Sequence, residues 1–376
     1  MSSFEVTVLG ASGGPIDGKT CALLVKPASL SYAEILATND CESVVAIDAG
    51  TSLSGIGEAI MHHQRLQPKT LKDMPFSDFY LQNSPQTNLL LDFYRDSLPL
   101  KQYINVPTTT PFQELCELAP LEYAALLLRL LSCYCVTHPH LDHVAGLVIN
   151  SPVFCDYGIP RKRIHGLRQT TEALQKHCFN GVIWPDLARD FLSMSVMEPE
   201  KWYPLNLHYS VLPYELAHGK TNGDKDVYTS TAFLLKDTTD SYLLVFGDCE
   251  SDVHSDHPRN FAVWTGVAPL IRDGKLKSII IECSTPSMAA CINLYGHLSP
   301  DFLIQELLTL ERCVRQVEPG CNQPLMGLNI LIYHVKELFT SSDPRRKILS
   351  ELEALNKRYN MGIVFSVAFP GVTYLL

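Results

Sequence analysis

The sequence lacks an apolar run long enough to cross a membrane. Its longest apolar stretch, residues 123–136, contains Arg129 and falls short of the roughly 20 residues that a transmembrane helix needs. The first residues, MSSFEVTVLG, contain no basic segment followed by an apolar one, so no secretory signal is evident. These absences predict a cytoplasmic protein that is not embedded in a membrane.

Positive charge is also scarce. The chain has 30 Lys and Arg against 40 Asp and Glu, which gives a net charge of −10. Its basic clusters are short, namely Arg161–Arg163 and Arg345–Lys347. A protein that binds the nucleic-acid backbone makes many contacts between phosphates and Lys or Arg side chains. The composition therefore argues against a nucleic-acid partner.

The 12 cysteines show no C-x-x-C spacing, and Cys133 and Cys135 form the closest pair. Together with a cytoplasmic location, this pattern predicts reduced thiols rather than a disulfide framework.

Internal repeats and low-complexity linkers are absent as well. At 376 residues, of which 46% are hydrophobic, length alone would predict two or three domains.

The most informative stretch is residues 136–152, VTHPHLDHVAGLVINSP, which follows an apolar run. It places His138, His140, Asp142 and His143 within six positions. Burying these groups without partners is costly, and a metal ion that binds nitrogen and oxygen ligands removes the cost. Residues two apart in an extended loop face the same way, so His138 and His140 can share one ion. A histidine-rich surface loop is the alternative, but the apolar flanks favour a metal site.

Five further polar residues each stand just past the end of an apolar strand. Sheet proteins form their sites in loops at strand ends, because the sheet fixes positions while the loops expose side chains. These residues are Asp48, His218, Asp248, Glu282 and His334. Since the candidate ligands run from residue 138 to residue 334, splitting the chain between them would split the site. We therefore predict a single domain over residues 1–376.

Two of these positions have alternatives. His208 lies at the opposite end of the strand that leads to His218, so only one of the two can face the site. His218 is preferred because Gly219 lets the chain turn at once. Asp48 could instead cap a helix that begins near Leu53, and both roles could hold together.

Residues 65–130 contain no recognisable site motif and are predicted to form a helical insertion. A capping-box pattern with Pro111 at the first helical position opens a helical region from Phe112 to Leu131, interrupted near Pro120. We expect the insertion to pack beside the core, where it could line the rim of the pocket or form the contact of a homodimer. The glycines of residues 10–15 are read as a turn next to the site in preference to a phosphate-binding loop.

The motif H-x-H-x-D-H resembles the metal motif of the metallo-β-lactamase superfamily. The longer string from His138 to Pro152 is similar to one branch of it, the class II cyclic-nucleotide phosphodiesterases. This resemblance implies an α/β fold, a four-layer αββα sandwich, to which the helical insertion would be added.

The resemblance also implies a centre with two divalent ions, of which Zn²⁺ suits the nitrogen-rich ligands best, although manganese or iron would be accepted. One ion would be held by His138, His140 and His218, the other by Asp142, His143 and His334, and Asp248 would bridge them, with Asp48 supporting the metal loop. His297 would contact the phosphate or protonate the leaving oxygen, Glu282 would orient it, and Asp142 is counted with them as catalytic. The alternative for His297 is a cap on the helix that follows it.

The implied function is hydrolysis of 3′,5′-cyclic nucleotides, cAMP foremost and also cGMP, to 5′-monophosphates, which ends a cyclic-nucleotide signal. Two other activities of the superfamily remain open, namely tRNA 3′-processing by an endonuclease and thioester hydrolysis of the glyoxalase type. The nuclease would need a basic arm or exosite to bind RNA, and none is visible at a net charge of −10. A small-molecule substrate is therefore expected.

Overall fold

Two β-sheets form the centre of the computed structural model, which describes residues 3–66, 88–221, 226–287 and 294–376. The first sheet contains β1 (Phe4–Gly10), β2 (Ala22–Pro27), β3 (Val45–Ile47), β4 (Thr108–Thr109), β5 (Cys133–Cys135), β6 (Lys162–Leu167), β7 (Leu192–Met197) and β15 (Val372–Leu375). The second contains β8 (Tyr203–Pro204), β9 (Tyr209–Lys220), β10 (Val227–Asp237), β11 (Tyr242–Phe246), β12 (Leu276–Glu282), β13 (Asn329–Tyr333) and β14 (Val364–Val367). Their spatial orders are β4-β15-β1-β2-β3-β5-β6-β7 and β14-β13-β12-β11-β10-β9-β8.

Helices cover the outer faces of both sheets. In chain order they are α1 (Tyr32–Thr38), α2 (Leu53–Leu66), α3 (Leu89–Asp92), α4 (Pro120–Leu130), α5 (Leu141–Asn150), α6 (Arg168–Ala173), α7 (Asn260–Arg272), α8 (Pro300–Val317) and α9 (Pro344–Tyr359). Helices α1, α2, α4 and α5 share a hydrophobic cluster with the first sheet, and α7, α8 and α9 pack with the second. This arrangement confirms the predicted αββα sandwich.

The alternation of side chains along β2 shows why the layers form. Leu23 and Val25 belong to the core between the sheets, whereas Ala22 and Leu24 belong to the cluster under the helices. Successive side chains of a strand point to opposite faces, so an all-apolar strand requires apolar neighbours on both sides. The isoleucines 279–281 of β12 are fully buried for the same reason.

Strand direction determines where the polar residues lie. Strands β11, β12 and β13 run parallel, and β9 and β11 are each antiparallel to β10. The C-terminal ends of β9, β11, β12 and β13 therefore meet at one edge of the second sheet. In the first sheet, β3 and β5 are parallel and end together. The expectation that strand-end residues converge follows from this geometry.

The predicted helix from Phe112 is wrong over its first part, because α4 begins only at Pro120. Phe112 has a φ of 58°, in the left-handed region that a right-handed helix cannot include. Its ring packs instead against Tyr32, with the ring centroids 4.6 Å apart. Residues 67–87 of the predicted insertion lie outside the described residues, and the 65–130 boundary stays a prediction.

The remainder of the insertion is tied into the core. Its two-residue strand β4 pairs with β15 and so extends the first sheet. The last two strands join different sheets, because β14 lies beside β13 in the second sheet and β15 lies beside β1 in the first. Among the residues that the structure describes, no helix has the length and apolar character to span a bilayer.

Candidate active site

Three histidines and one aspartate form what we call the first cluster. Its members are His138, His140, His218 and Asp248, whose candidate ligand atoms all lie within 4.8 Å of one another. His138 Nε2 is 3.0 Å from His140 Nδ1, and His218 Nε2 is 3.3 Å from the same atom. His138 and His140 follow β5, His218 lies near the end of β9, and Asp248 follows β11.

The second cluster shares one residue with the first. Its members are Asp142, His143, Asp248 and His334, again within 4.8 Å of one another. His334 Nε2 lies 3.1 Å from both Asp142 Oδ2 and Asp248 Oδ2, and His143 Nε2 lies 3.3 Å from Asp248 Oδ1. Asp142 and His143 stand in the first turn of α5, and His334 follows β13. The structure thus brings together all seven residues that the resemblance named, with Asp248 common to both clusters.

Most of these histidines are held through their second ring nitrogen. Nδ1 of His143 lies 2.7 Å from Asp48 Oδ2. Asp48 also accepts a 2.8 Å hydrogen bond from the backbone N–H of Thr137, next to His138. The remaining contacts are His138 Nδ1 to Thr137 Oγ1 at 3.0 Å, His218 Nδ1 to Gly296 O at 2.8 Å and His334 Nδ1 to Ser284 Oγ at 2.9 Å. Such partners fix ring orientation and tautomer.

Asp48 therefore supports the histidine loop and does not cap α2. The backbone N–H of Leu53, at the start of α2, is bonded instead by Asn150 Oδ1 at 3.0 Å. Burial of Asp48 at the bottom of the site is balanced by its hydrogen bonds to Thr137 and His143.

His297 lies beside both clusters and is held by Glu282. Its Nδ1 is 3.0 Å from Glu282 Oε1 and 3.2 Å from Oε2, and its ring centroid is 4.8 Å from that of His218 and 5.0 Å from that of His334. Glu282 is buried and also accepts hydrogen bonds from the backbone N–H of Cys249 and from Ser284 Oγ. His297 therefore contacts a buried carboxylate through Nδ1, which is not the contact that a cap on the following helix would make.

Burial and charge act in opposite directions on the acids of the site. Burial alone would raise the pKa of Asp248 and of Asp142, but the neighbouring histidines hold both pKa values below the usual range. Burial lowers the pKa of His138, and it lowers the pKa of His218 to about 4. These four side chains therefore have the ionised-carboxylate and neutral-imidazole forms that metal ligands require at neutral pH.

The two histidines of the second cluster differ from those of the first. Burial would lower the pKa of His334, but Asp248 and Asp142 raise it to about 9, and Asp248 and Asp48 likewise raise the pKa of His143. These imidazoles thus attract a positive charge, which a proton or a metal ion can supply. A bound cation would displace the proton.

The donor set fits divalent metal ions. His143 Nε2 is buried and has no hydrogen-bond partner among the described residues, although it points into the second cluster. An orphaned buried nitrogen is costly unless an ion or a donor satisfies it. Nitrogen and oxygen donors in these numbers suit borderline ions such as zinc, and also manganese or iron.

The structure also locates His208 and the glycine-rich turn of residues 10–15. His208 lies at the start of β9, at the far edge of the sheet, where its Nε2 is 3.0 Å from Ser43 Oγ. Gly13 packs against the ring of His334, since a Cβ built there would lie 2.4–3.0 Å from ring atoms. The glycine-rich turn therefore adjoins the site, as predicted.

The sequence analysis missed two residues that contact the proposed ligands. Ser284 contacts His334 and Tyr228 contacts His140, and no local sequence pattern marks either residue, because both contacts arise only from the tertiary fold.

The fold and these clusters define a metal-dependent hydrolase. The crystal structure of the metallo-β-lactamase fold protein YhfI from Bacillus subtilis aligns with 99% of this chain and 99% of its own chain at a TM-score of 0.52 and 12% identity, which shows the fold alone. The crystal structure of unliganded yeast PDE1 aligns over 100% of both chains at a TM-score of 0.84 and 29% identity.

Sequence comparison then gives the family. The profile of the class-II cAMP phosphodiesterases matches residues 45–371. The 3′,5′-cyclic-nucleotide phosphodiesterase of Candida albicans is 32% identical, and 3′,5′-cyclic-nucleotide phosphodiesterase 1 of Saccharomyces cerevisiae is 31% identical, each over 100% of both chains. The chain belongs to the class-II cAMP phosphodiesterases and is a 3′,5′-cyclic-nucleotide phosphodiesterase.

Proposed function

We propose that the chain hydrolyses cAMP, and also cGMP, to 5′-monophosphates with two divalent ions, Zn²⁺ in the native enzyme. The observation that carries this proposal is the position of Asp248, which belongs to two clusters of nitrogen and oxygen donors. One ion would be held by His138, His140 and His218, the other by Asp142, His143 and His334, and Asp248 would contact both. Two such ions lower the pKa of an attacking water and neutralise the charge that develops on the phosphoryl oxygens.

His297 is proposed to act on the substrate directly. Its Nδ1 is occupied by Glu282, which leaves Nε2 as the ring atom available to the phosphate or to the leaving 3′ oxygen. A carboxylate behind an imidazole fixes the tautomer and the ring plane. Burial would raise the pKa of Glu282, but His297 beside it holds that pKa below its usual value. Glu282 is therefore an ionised acceptor that orients His297.

The substrate is tested by assaying cAMP, cGMP and a tRNA precursor side by side, with and without a chelator. We expect turnover of both cyclic nucleotides, loss of turnover with the chelator, and no cleavage of the tRNA. Cleavage of the tRNA 3′ trailer without cAMP turnover would transfer the assignment to the nuclease.

Salt dependence tests the same choice independently. A small cyclic nucleotide offers few phosphate contacts beyond the ions, so the rate at low substrate concentration should change little between low and moderate salt. An RNA-binding enzyme would weaken steeply, because many counterions are released on binding. The net charge of −10 supports the first expectation.

The number and identity of the ions are tested by metal analysis of the purified protein. The proposal predicts two ions per chain, with zinc restoring full activity to chelator-treated protein. Full activity at one ion per chain or none would contradict the two-metal assignment.

A further inference from the structure

Tyr228, near the start of β10, packs against every histidine of the first cluster. Its ring stacks on His140, with centroids 4.5 Å apart and an interplanar angle of 15°. It also meets the rings of His218 and His138 edge-on, at 5.8 Å and 6.1 Å. Among the ring contacts of the described residues, Tyr228 touches no histidine of the second cluster. Its contacts are therefore specific to one of the two proposed ions.

His140 is the member of the first cluster that lacks a hydrogen bond behind its ring. Its Nδ1 faces the other ligands, at 3.0 Å from His138 Nε2 and 3.3 Å from His218 Nε2. Its Nε2 forms no hydrogen bond with any described residue, and the side chain is exposed. His138 and His218, by contrast, are held through Nδ1 by Thr137 and by the carbonyl of Gly296.

Until an ion binds, an imidazole with no partner on its second nitrogen can rotate about its Cβ–Cγ bond, which turns the ligand nitrogen away from the ion's position. A carboxylate, carbonyl or hydroxyl normally prevents this rotation, and its loss typically costs 10–100-fold in metal affinity or activity. A parallel aromatic ring restricts the same rotation, because turning the imidazole would break the face contact between the two rings. The 15° interplanar angle at His140 matches such a face contact.

Tyr228 lies where the pairing of β10 with β9 shifts register, between Val227 and Thr229. β10 pairs with β9, the strand that carries His218, and Thr229 lies opposite Ala217. Two residues after Tyr228, Ser230 contacts the same histidine as Tyr228 does, since its Oγ lies 3.5 Å from His138 Nδ1. Strand β9 therefore carries the proposed ligand His218, and the adjacent strand β10 carries the ring that packs against a second proposed ligand, His140.

We propose that Tyr228 is a positioning residue that holds His140 by ring stacking, in place of the hydrogen bond that orients the other histidines. The inference rests on the proposed metal centre. In this proposal the ring of Tyr228, and not its hydroxyl group, restrains His140. It also predicts that the ion at the first cluster depends on Tyr228, whereas the ion at the second cluster does not.

The test compares Tyr228→Phe with Tyr228→Leu by Zn²⁺ titration against a competing chelator. Tyr228→Phe keeps the ring and should bind both ions as the wild type does. Tyr228→Leu should weaken the ion at the first cluster by roughly 2–10-fold, the loss expected for one stacking contact, and leave the other ion unchanged. Tyr157→Leu is the matched control, since Tyr157 is exposed and lies before the N-terminal end of β6, away from the site. It should bind both ions normally.

A double-mutant cycle shows whether Tyr228 acts through His140. In a His140→Ala background, Tyr228→Leu should cause no further loss of affinity, because the residue that it positions is gone. Additive losses would overturn the inference, as would unchanged binding by Tyr228→Leu or an equal loss in Tyr228→Phe. Equal weakening of both ions, with a lowered melting temperature of the metal-free protein, would mark a general folding defect and also contradict it.

The proposed function fails in a different way. Wild-type protein that binds no Zn²⁺ in the same titration would contradict the metal centre itself, before any variant is compared. Normal binding by the wild type together with normal binding by Tyr228→Leu would contradict only the role of Tyr228.

Discussion

His297 Nδ1 lies 3.0 Å from Glu282 Oε1 and 3.8 Å from Asp248 Oδ2. One imidazole is thus placed between a carboxylate that belongs to neither metal cluster and the carboxylate that belongs to both. Glu282 accepts hydrogen bonds from three further donors, namely the backbone N–H groups of Cys249 and Leu298 and the hydroxyl of Ser284. Ser284 in turn contacts His334. The proposed proton donor and the proposed metal ligands therefore share one buried hydrogen-bond network.

Replacement of His297 separates catalysis from metal binding. We expect His297→Ala to retain both ions and to lose cAMP turnover by about 10²–10⁴-fold, the usual contribution of a positioned proton donor. His208→Ala is the matched control and should be nearly silent, because His208 lies at the far edge of the sheet. Retained ions with an unchanged rate in His297→Ala would reduce His297 to a structural role.

Asp248→Ala should be the most damaging single change in the site, because Asp248 belongs to both clusters. The loss of metal affinity should exceed the roughly 10–100-fold that follows loss of a partner behind a ligand, and it should affect both ions. Metal analysis after gel filtration measures this. Asp256→Ala, which removes an exposed aspartate paired with Lys220, should leave both ions bound. If only one ion is lost from Asp248→Ala, Asp248 is not shared.

Asp48→Asn tests the support beneath the second cluster. The carboxylate contacts His143 Nδ1 and the hydroxyl and backbone N–H of Thr137. An amide keeps the shape but removes the charge and one acceptor, so we expect the ion held by His143 to weaken by about 10–100-fold. Chelator competition should show this loss with little change in the ion at the first cluster. Equal loss at both ions would indicate that Asp48 acts mainly through the loop that carries His138.

Much of the site could be predicted because its signals are local. Four candidate ligands within six residues can be recognised without knowing the tertiary structure. An acid or histidine that follows an apolar strand is likewise predicted to lie at the end of that strand, at an edge of the sheet. His334 directly follows a buried strand of a parallel set, and Asp248 follows another such strand with Gly247 between them. The sequence could not pair His140 with Tyr228, because that contact depends on how β10 registers with β9.

The errors in the fold have physical reasons of the same kind. The pattern at residues 110–113 favours a helix locally, but the packing of Phe112 against Tyr32 and its φ of 58° override the pattern. β4 consists of two exposed threonines, and so short a strand has no alternation to detect. Helix α7 includes Pro269, a residue that weakens any helical signal in a sequence.

Gly296 should tolerate no side chain. It has a φ of 81°, and a Cβ built there would lie 2.7 Å from the backbone nitrogen of Gly219 and 2.8 Å from the carbonyl carbon of His218. Because the Gly296 carbonyl also orients His218, Gly296→Ala should displace that ligand and weaken the first-cluster ion. Gly320→Ala is the matched control, since Gly320 also has a positive φ but open space around it. It should lower stability by roughly 1–2 kcal/mol without affecting metal binding, and equal metal loss in both variants would contradict the prediction.

Arg345 should be essential for stability although it lies outside the site. Its guanidinium is buried and pairs with Glu337 and Asp343, which are also buried. Tyr94 and Tyr103, from the predicted insertion, donate hydrogen bonds to these two carboxylates. Glu337 lies three residues beyond His334, so the network joins the insertion to the segment that carries a proposed ligand.

Removing Arg345 from this network leaves two buried carboxylates without a compensating positive charge. We expect Arg345→Met to lower the free energy of unfolding by about 3–5 kcal/mol, the usual cost of breaking a buried pair. The neighbouring variant Arg346→Met is the control, because Arg346 makes a half-exposed contact with Asp96, and such pairs contribute about 0–1 kcal/mol. Urea unfolding of both variants measures the difference. Equal stability of the two would show that Glu337 and Asp343 are accommodated without Arg345.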